Sequence, residues 1–161
     1  MLRRINIRIV RSVRGRFRMK HYRDFLAFKK WVRENIDRPM LRKMLPFGSI
    51  LKDVFTELHI GNFTYARQIG SYPLLTVLPY KYPLNRFLDV KVIDYGHRSV
   101  TAVEYPLNIN TASVKALQAL PSIGKKRAFA IARKRPFNSI EELNILLGSD
   151  VVDNIKNFIC L

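Results

Sequence analysis

The sequence has little cysteine and no long apolar run. Cys160 is the one cysteine among 161 residues, so neither a disulfide within the chain nor a cysteine-cluster site can form. No run of about 18 apolar residues occurs, and the cations near the N-terminus are not followed by the apolar stretch of a signal peptide. We therefore expect a cytoplasmic protein without membrane attachment.

Motifs for chemistry are equally scarce. His21, His59 and His97 lie in three different predicted elements, and none has a carboxylate or cysteine at ligand spacing, so we expect no metal site. The sequence has no P-loop and no dinucleotide-binding glycine motif. Asp53 and Glu57 are the nearest paired acids, but their even spacing on a predicted strand is typical of solvated residues. These absences predict a chain that needs no cofactor and is not an enzyme on its own.

Positive charge is what the chain has in excess. It carries 29 Lys and Arg against 12 Asp and Glu, a formal net charge of +17, which points to a polyanionic partner such as nucleic acid or an acidic membrane surface. Residues 1–45 hold fifteen of these cations against three acids, compared with six against five in residues 46–106 and eight against four in residues 107–161. We interpret these ranges as a basic strand-helix segment, a β domain and a helical domain.

The basic segment, residues 1–45, cannot form a core of its own. Alternating isoleucines predict a strand over residues 5–10, and an apolar stripe predicts a helix over residues 21–36 that ends at Pro39. One strand and one helix must either pack on the middle of the chain or be the remnant of a larger α/β domain. The basic turn between them is either a solvated or interdomain face, or an arm that contacts nucleic acid. The candidate contacts of such an arm are Arg14, Arg16 and Arg18.

Residues 46–106 have the pattern of a small β domain. Turns at Gly61-Asn62 and Gly96-His97 join alternating segments. The five predicted strands span residues 49–60, 63–69, 74–78, 88–95 and 98–104. In the first strand, the residues of one parity, which we expect in the core, are Ile50, Val54, Leu58 and Ile60. Five short strands at this spacing predict a closed barrel of the OB or TRAM-like kind.

Barrels of this kind bind single strands by combining aromatic platforms with cations. Phe63, Tyr65 and Arg67 alternate onto one face of the second strand, and Arg98 is expected nearby on the last strand. The alternative is that these aromatic residues belong to the core, in a segment that is nearly neutral. Tyr65, Arg67 and Arg98 are therefore secondary candidates for nucleic-acid contact.

Residues 107–161 predict a helical domain that opens with NINTASVKALQALPSIGKKRAFAIARKRPF, residues 108–137. Asn110 or Thr111 would cap the first helix, and a tight turn, PSIG at residues 121–124, would lead into the second. Ile123 can pack between the two helices. This is a helix-hairpin-helix layout.

The second helix of this hairpin begins with cations. Lys125, Lys126 and Arg127 lie in its first turn, where the helix macrodipole disfavours positive charge. A bound phosphate would remove that cost, because free N–H groups and adjacent cations converge on the same anion. The alternative is an ordinary helical hairpin with solvated lysines. The candidate nucleic-acid-binding residues are Ser122, Ile123, Gly124, Lys125, Lys126 and Arg127.

A second hairpin follows with the opposite charge. Ser139 and Glu142 form a capping box that predicts another helix, ended by Gly148. Asp150 and Asp153 lie at the start of the last helix, where they satisfy its dipole and would repel a phosphate. We therefore expect the second hairpin to be structural.

Residues 108–137 resemble the helix-hairpin-helix module of DNA-repair and DNA-uptake proteins, in the asparagine-rich opening and in the closing Arg135-Pro136-Phe137. In that family the turn reads Pro-Gly-Ile-Gly and its backbone amides bind a phosphate. Ser122 replaces the first glycine, which can weaken that site, although its hydroxyl can donate to a phosphate oxygen. The resemblance implies binding of nucleic acid, with DNA preferred, and without sequence specificity.

A wider resemblance covers PMLRKMLPFGSILKDV, GNFTYARQIGSYPLL and DYGHRSVTAV. These strings are similar to the region that follows the catalytic barrel in archaeal radical SAM proteins, and RQIGSYP, residues 67–73, is the most specific of them. Radical SAM chemistry needs a C-x-x-x-C-x-x-C triad, which this chain lacks. The resemblance therefore implies an accessory part whose partner would be a radical SAM catalytic domain.

The sequence thus predicts an α+β fold, a small OB/TRAM-like β-barrel followed by an all-α tandem helix-hairpin-helix domain. The predicted function is non-catalytic binding of nucleic acid, DNA in preference to RNA. Two alternatives stay open. One is the C-terminal accessory part of a radical SAM enzyme acting on a macromolecule, and the other is a protein–protein docking module.

Overall fold

The computed structural model describes residues 21–71 and 73–161. The helices are Tyr22–Val32 (α1), Arg38–Met44 (α2), Val114–Gln118 (α3), Lys125–Lys134 (α4), Ile140–Leu147 (α5) and Ser149–Ile155 (α6). The strands are Ile50–Ile60 (β1), Phe63–Gln68 (β2), Leu75–Leu78 (β3), Phe87–Tyr95 (β4), Ser99–Glu104 (β5), Leu107–Asn108 (β6) and Ile159–Cys160 (β7). The predicted strand over residues 5–10 and the predicted contacts Arg14, Arg16 and Arg18 lie outside the described residues.

Helices α1 and α2 form one helical run, because a π-helical turn, Arg33–Asp37, joins them. Pro39 lies at the start of α2 instead of ending the helix. A proline ring clashes with the carbonyl one turn earlier in a regular helix, and the wider π turn gives that ring room. The predicted end at Pro39 is therefore wrong, and the helix continues to Met44.

Strands β1 to β5 close into a barrel in the order β1-β2-β3-β5-β4. Strand β1 pairs with both β2 and β4, and all neighbours are antiparallel except β3 and β5. The register of β1 shifts between Leu51 and Val54 and again between Thr56 and Leu58. Such bulges bend a strand, which allows one long strand to serve two neighbours. The predicted small closed barrel and the α+β fold class are confirmed.

The same bulges decide which side chains of β1 face the core. Val54 is buried as predicted, together with Leu51 and Thr56. The other three predicted core residues of this strand are exposed: Ile50, Leu58 and Ile60. Asp53 adopts a φ of 52° within the first irregularity. The prediction for those three residues is wrong because a strict two-residue period does not survive a bulge.

The helical domain packs directly on the barrel, and the buried residues of both form one continuous core. Lys91 of β4 crosses the junction, because its Nζ donates to the Asn157 carbonyl oxygen. Its ammonium group lies 4.7 Å from the ring centroids of both Tyr105 and Phe158. Cation–π contacts of this kind stabilise a buried ammonium group.

The two ends of the helical domain also meet. Strands β6 and β7 pair in parallel, Leu107 with Ile159 and Asn108 with Cys160. The four helices α3 to α6 lie between these strands in the chain and form two successive helical hairpins. The first of these hairpins contains the predicted binding residues.

Candidate nucleic-acid interface

The residue that caps α3 is not one of those the sequence suggested. The Ser113 hydroxyl accepts a hydrogen bond from the Ala116 N–H at 3.1 Å, so the predicted cap at Asn110 or Thr111 is wrong. Those two residues belong to a turn in front of the helix, because the Asn108 side-chain oxygen accepts from their N–H groups at 2.9 and 3.0 Å. An asparagine whose side-chain oxygen accepts from backbone N–H groups two or three residues later favours a turn over a helix.

Asn110 instead connects the start and the end of the first hairpin. Its side-chain oxygen accepts from the Phe137 N–H at 2.8 Å, and its amide nitrogen donates to the Phe137 carbonyl at 2.9 Å. Close by, Arg135 donates to the Ala112 carbonyl at 2.6 Å, and burial lowers the pKa of its guanidinium group. The asparagine-rich opening and the closing Arg-Pro-Phe are therefore one structural unit. Sequence reasoning recognised both strings but missed that they bond each other.

The turn between α3 and α4 has a left-handed residue, Ser122, at the position where the family pattern has glycine. Ser122 adopts a φ of 60°, the left-handed region that glycine enters without strain. Ile123 is buried between the helices as predicted, and its N–H donates to the Leu120 carbonyl at 3.2 Å. Ser122 therefore adopts a conformation that glycine enters freely, at a cost of about 1–2 kcal/mol.

The start of α4 combines uncapped amides with unpaired cations. Gly124 occupies the N-cap position with extended backbone, and no side chain caps the helix. The N–H groups of a first helical turn have no partner inside the helix. Lys125 and Lys126 are exposed, and within the described residues no carboxylate lies at salt-bridge distance from either. Arg127 donates to the Ser122 carbonyl at 2.8 Å, which holds its guanidinium group against the turn.

The second hairpin has a different chemistry at the equivalent place. Helix α6 follows Gly148, which has a φ of 88°, and Asp150 lies in its first turn. Asp153 is 2.8 Å from the Lys156 ammonium group. Asn154 donates to the Ser122 hydroxyl at 3.4 Å, so this helix contacts the first turn. That contact supports the predicted structural role of the second hairpin.

The predicted capping box of α5 does not form. Ser139 is the N-cap residue but makes no capping bond, and Glu142 accepts from the Asn138 N–H at 3.2 Å instead of from Ser139. The backbone N–H of Glu141 and the Ser139 hydroxyl lower the pKa of the Glu141 carboxyl group. Bonds other than those of a capping box therefore stabilise the start of α5.

Both arginines among the secondary candidates on the barrel lie near carboxylates. Tyr65 and Arg67 are half-buried on the outer face of β2, as their alternation with buried neighbours predicted. Arg67 donates to the Glu57 carboxylate at 2.8 Å. Arg98 precedes β5 instead of lying on it, and its Nε is 3.8 Å from the Asp37 carboxylate. The predicted position of Arg98 on the last strand is therefore wrong.

Residues 21–71 and 73–161 contain neither a membrane-spanning helix nor a metal-binding cluster. This part of the chain has no helix with the length and apolarity needed to cross a membrane. It also has no group of three or more His, Cys, Asp or Glu side chains arranged to hold a metal ion.

Comparison with known proteins supports the assignment of the motif. Residues 104–160 match a family model described as a helix-hairpin-helix motif. This match and the uncapped, cation-bearing start of α4 indicate nucleic acid as the general class of partner.

Two relatives are both longer than this chain. An uncharacterized protein of Archaeoglobus fulgidus is 42% identical over 165 residues, which is 97% of this chain and 30% of the relative. An uncharacterized protein of Methanocaldococcus jannaschii is 44% identical over 111 residues, which is 63% of this chain and 20% of the relative. The chain thus spans less than a third of the length of these relatives. No solved structure matches the chain.

Proposed function

We propose that this protein binds nucleic acid without reading its sequence, and prefers DNA to RNA. The observation that supports this most directly is the start of α4, where uncapped amides and the unpaired Lys125 and Lys126 lie together. The preference for DNA rests on the resemblance of residues 108–137 to the hairpins of DNA-repair and DNA-uptake proteins.

In the proposed complex, the first hairpin contacts the phosphate backbone. The Ile123 N–H already donates to the Leu120 carbonyl, so the Gly124 and Lys125 N–H groups would donate to phosphate oxygens, while the Lys125 and Lys126 ammonium groups supply charge. Arg127 bonds the Ser122 carbonyl, so it has a double role: it keeps the turn in shape and adds a positive charge beside it. Phosphates are the same at every nucleotide, so such contacts fix position and carry no sequence information.

The double variant Lys125→Ala with Lys126→Ala tests this proposal. It removes two charges but leaves the Arg127 bond to the turn intact, so the hairpin keeps its structure. Loss of two phosphate contacts should weaken duplex DNA binding about ten- to hundredfold near 0.1 M salt and lower the salt slope by about two. Fluorescence anisotropy with labelled duplex DNA, single-stranded DNA and RNA at several salt concentrations measures both quantities and the preference.

The matched control is Lys52→Ala with Lys81→Ala, which removes two exposed lysines from the barrel. It changes the net charge by the same amount and should alter affinity by less than about threefold. Equal losses in the two double variants would mean that only bulk charge matters. Unchanged affinity and salt slope in the hairpin variant would contradict the proposed site. Binding that is insensitive to salt would favour a protein–protein docking module instead.

A second candidate function follows from the length of the relatives. The chain spans 30% and 20% of the two relatives, which supports a role as the accessory part of a larger protein. From the resemblance of residues 67–73 to archaeal radical SAM proteins, we propose that this larger protein is a radical SAM enzyme that acts on a macromolecule. Anaerobic purification of the A. fulgidus relative tests this, because an iron–sulfur cluster absorbs visible light and requires a C-x-x-x-C-x-x-C triad. Absence of both the triad and the absorbance would contradict this candidate.

A further inference from the structure

The turn of the first hairpin holds a polar side chain that the proposed backbone contacts do not use. Ser122 is exposed, and its φ of 60° is strained for a residue with a Cβ atom. Its hydroxyl group does not offset that strain by capping α4, since no side chain caps this helix. Backbone strain of this kind is found at functional sites, where the strained residue is used for binding.

The Ser122 side chain is contacted from the second hairpin. Asn154, in the last turn of α6, donates through its amide nitrogen to the Ser122 hydroxyl oxygen at 3.4 Å. A hydroxyl group has one hydrogen to donate and two lone pairs that accept. Because the oxygen accepts from Asn154, the hydroxyl hydrogen points away from that amide, and no acceptor among residues 21–71 and 73–161 takes it.

The free hydroxyl hydrogen belongs to the same turn as the proposed phosphate site. Ser122 is two residues before Gly124, where the uncapped α4 begins. The Ser122 carbonyl accepts from Arg127 at 2.8 Å, which fixes the backbone that carries the hydroxyl group. Phosphate oxygens accept hydrogen bonds from hydroxyl groups as well as from amides, and such bonds to a charged oxygen are the short and strong ones.

The helix that carries Asn154 is otherwise acidic on this side. Asp150 lies one turn before Asn154, and Asp153 lies directly before it. Asp153 is 2.8 Å from the Lys156 ammonium group, which reduces its effect on a nearby anion. The contact from α6 to the Ser122 side chain is thus made by a neutral amide. A carboxylate in its place would accept the hydroxyl hydrogen and repel a phosphate.

We propose that Asn154 is a positioning residue of the nucleic-acid interface, which directs the Ser122 hydroxyl hydrogen toward a backbone phosphate. Ser122 then supplies a side-chain donor that the glycine of the family pattern lacks. The second hairpin takes part in binding through Asn154. This inference rests on the proposed function, because the phosphate is the one bound at the start of α4.

Substitutions at Ser122 separate binding from stability. Ser122→Gly and Ser122→Ala both remove the hydroxyl group, so both should weaken duplex DNA binding about three- to tenfold. The salt slope should not change, because a neutral donor releases no counterion. Ser122→Gly also relieves the backbone strain, so its weaker binding would not come from a less stable hairpin. Fluorescence anisotropy measures affinity and slope, and full affinity in either variant would overturn the proposal.

Substitutions at Asn154 test the positioning role. Asn154→Ala should weaken binding about two- to threefold, because the hydroxyl group then rotates freely. Asn154→Asp has the same shape but accepts the hydroxyl hydrogen, so it should weaken binding about tenfold or more. In the Ser122→Ala background, Asn154→Ala should have no further effect, since it acts through the hydroxyl group.

The matched control is Asn157→Ala, which removes another exposed amide three residues later and should leave the affinity unchanged. An equal loss at Asn157 would overturn the proposal. Additive losses from Ser122→Ala and Asn154→Ala would also overturn it, as would an Asn154→Asp variant that binds as tightly as Asn154→Ala.

The double variant of Lys125 and Lys126 distinguishes this inference from the proposed function. If it loses affinity while Ser122→Ala does not, the first hairpin binds phosphate without the hydroxyl group, and only the present inference is overturned. If the double variant keeps its affinity and salt slope, the proposed function is contradicted, and the role of Asn154 is overturned with it.

Discussion

At the scale of single residues, Ser122 shows how a substitution can keep a backbone path at an energetic cost. Its φ of 60° places an L side chain in a region that costs about 1–2 kcal/mol. The serine hydroxyl regains little of this, since its bond from Asn154 is long at 3.4 Å. The turn is therefore held by its surroundings, namely the buried Ile123 and the bond from Arg127 to the Ser122 carbonyl.

We expect Ser122→Gly to raise the free energy of unfolding by about 0.5–1 kcal/mol, because relief of the left-handed strain exceeds the extra chain entropy of glycine. Urea denaturation followed by circular dichroism measures the change. Ser122→Ala is the matched control, since it removes the hydroxyl but keeps the strained backbone. If alanine stabilised the protein as much as glycine, strain would not be the cause.

At the scale of elements, the first hairpin depends on a bond between its two ends. Asn110 gives and receives one hydrogen bond with the Phe137 backbone, and Phe137 is 2% exposed. Removal of the Asn110 side chain would leave the Phe137 N–H and carbonyl groups buried without a hydrogen-bond partner. The geometry of the binding turn thus depends on a residue that does not belong to that turn.

We expect Asn110→Ala to lower the free energy of unfolding by about 2–3 kcal/mol, from two lost hydrogen bonds and two unsatisfied backbone groups. Thermal or urea denaturation measures the loss, and DNA affinity should fall with it as the hairpin opens. Asn138→Ala, at an exposed neighbouring position, should cost less than about 0.5 kcal/mol. A similar small cost at Asn110 would contradict a role for this residue in closing the hairpin.

The elements also show what the sequence could predict and what it could not. Alternation and two-residue turns predicted all five barrel strands, and Pro121 with Ile123 predicted the hairpin, because these signals act over a few neighbouring residues. The faces of β1, the helix that passes Pro39 and the cap at Ser113 were mispredicted. The causes were two barrel neighbours for β1, a π turn before Pro39, and, for the cap, the turn at Asn108 together with the bond between Asn110 and Phe137.

At the scale of the whole molecule, formal charge and available charge are distributed differently. The barrel has six cations and five acids in residues 46–106, and Arg67 is bonded to Glu57. Arg98 of the same segment lies near Asp37. The cations at the start of α4 have no such carboxylate within the described residues. We therefore expect the hairpin, and not the barrel face, to supply most of the binding energy.

Arg67→Ala should consequently change the affinity for single-stranded and duplex DNA by less than about twofold, since a cation already paired with a carboxylate contributes little to an exposed contact. Tyr65→Ala on the same face tests stacking separately, because loss of a base–aromatic contact costs about 1–3 kcal/mol. Both values come from the same anisotropy titrations. A loss at Arg67 as large as that of the Lys125 and Lys126 double variant would show that the barrel face takes part in binding.

The short parallel pairing of β6 with β7 makes the helical domain a closed loop with its entrance and exit side by side. A unit with that geometry can be inserted into, or removed from, a host protein by joining two neighbouring points, without a new linker across the fold. The helical domain thus begins and ends at one backbone seam, where the Leu107 N–H donates to the Phe158 carbonyl and the Ile109 N–H to the Cys160 carbonyl, while its buried residues remain part of the core that it shares with the barrel.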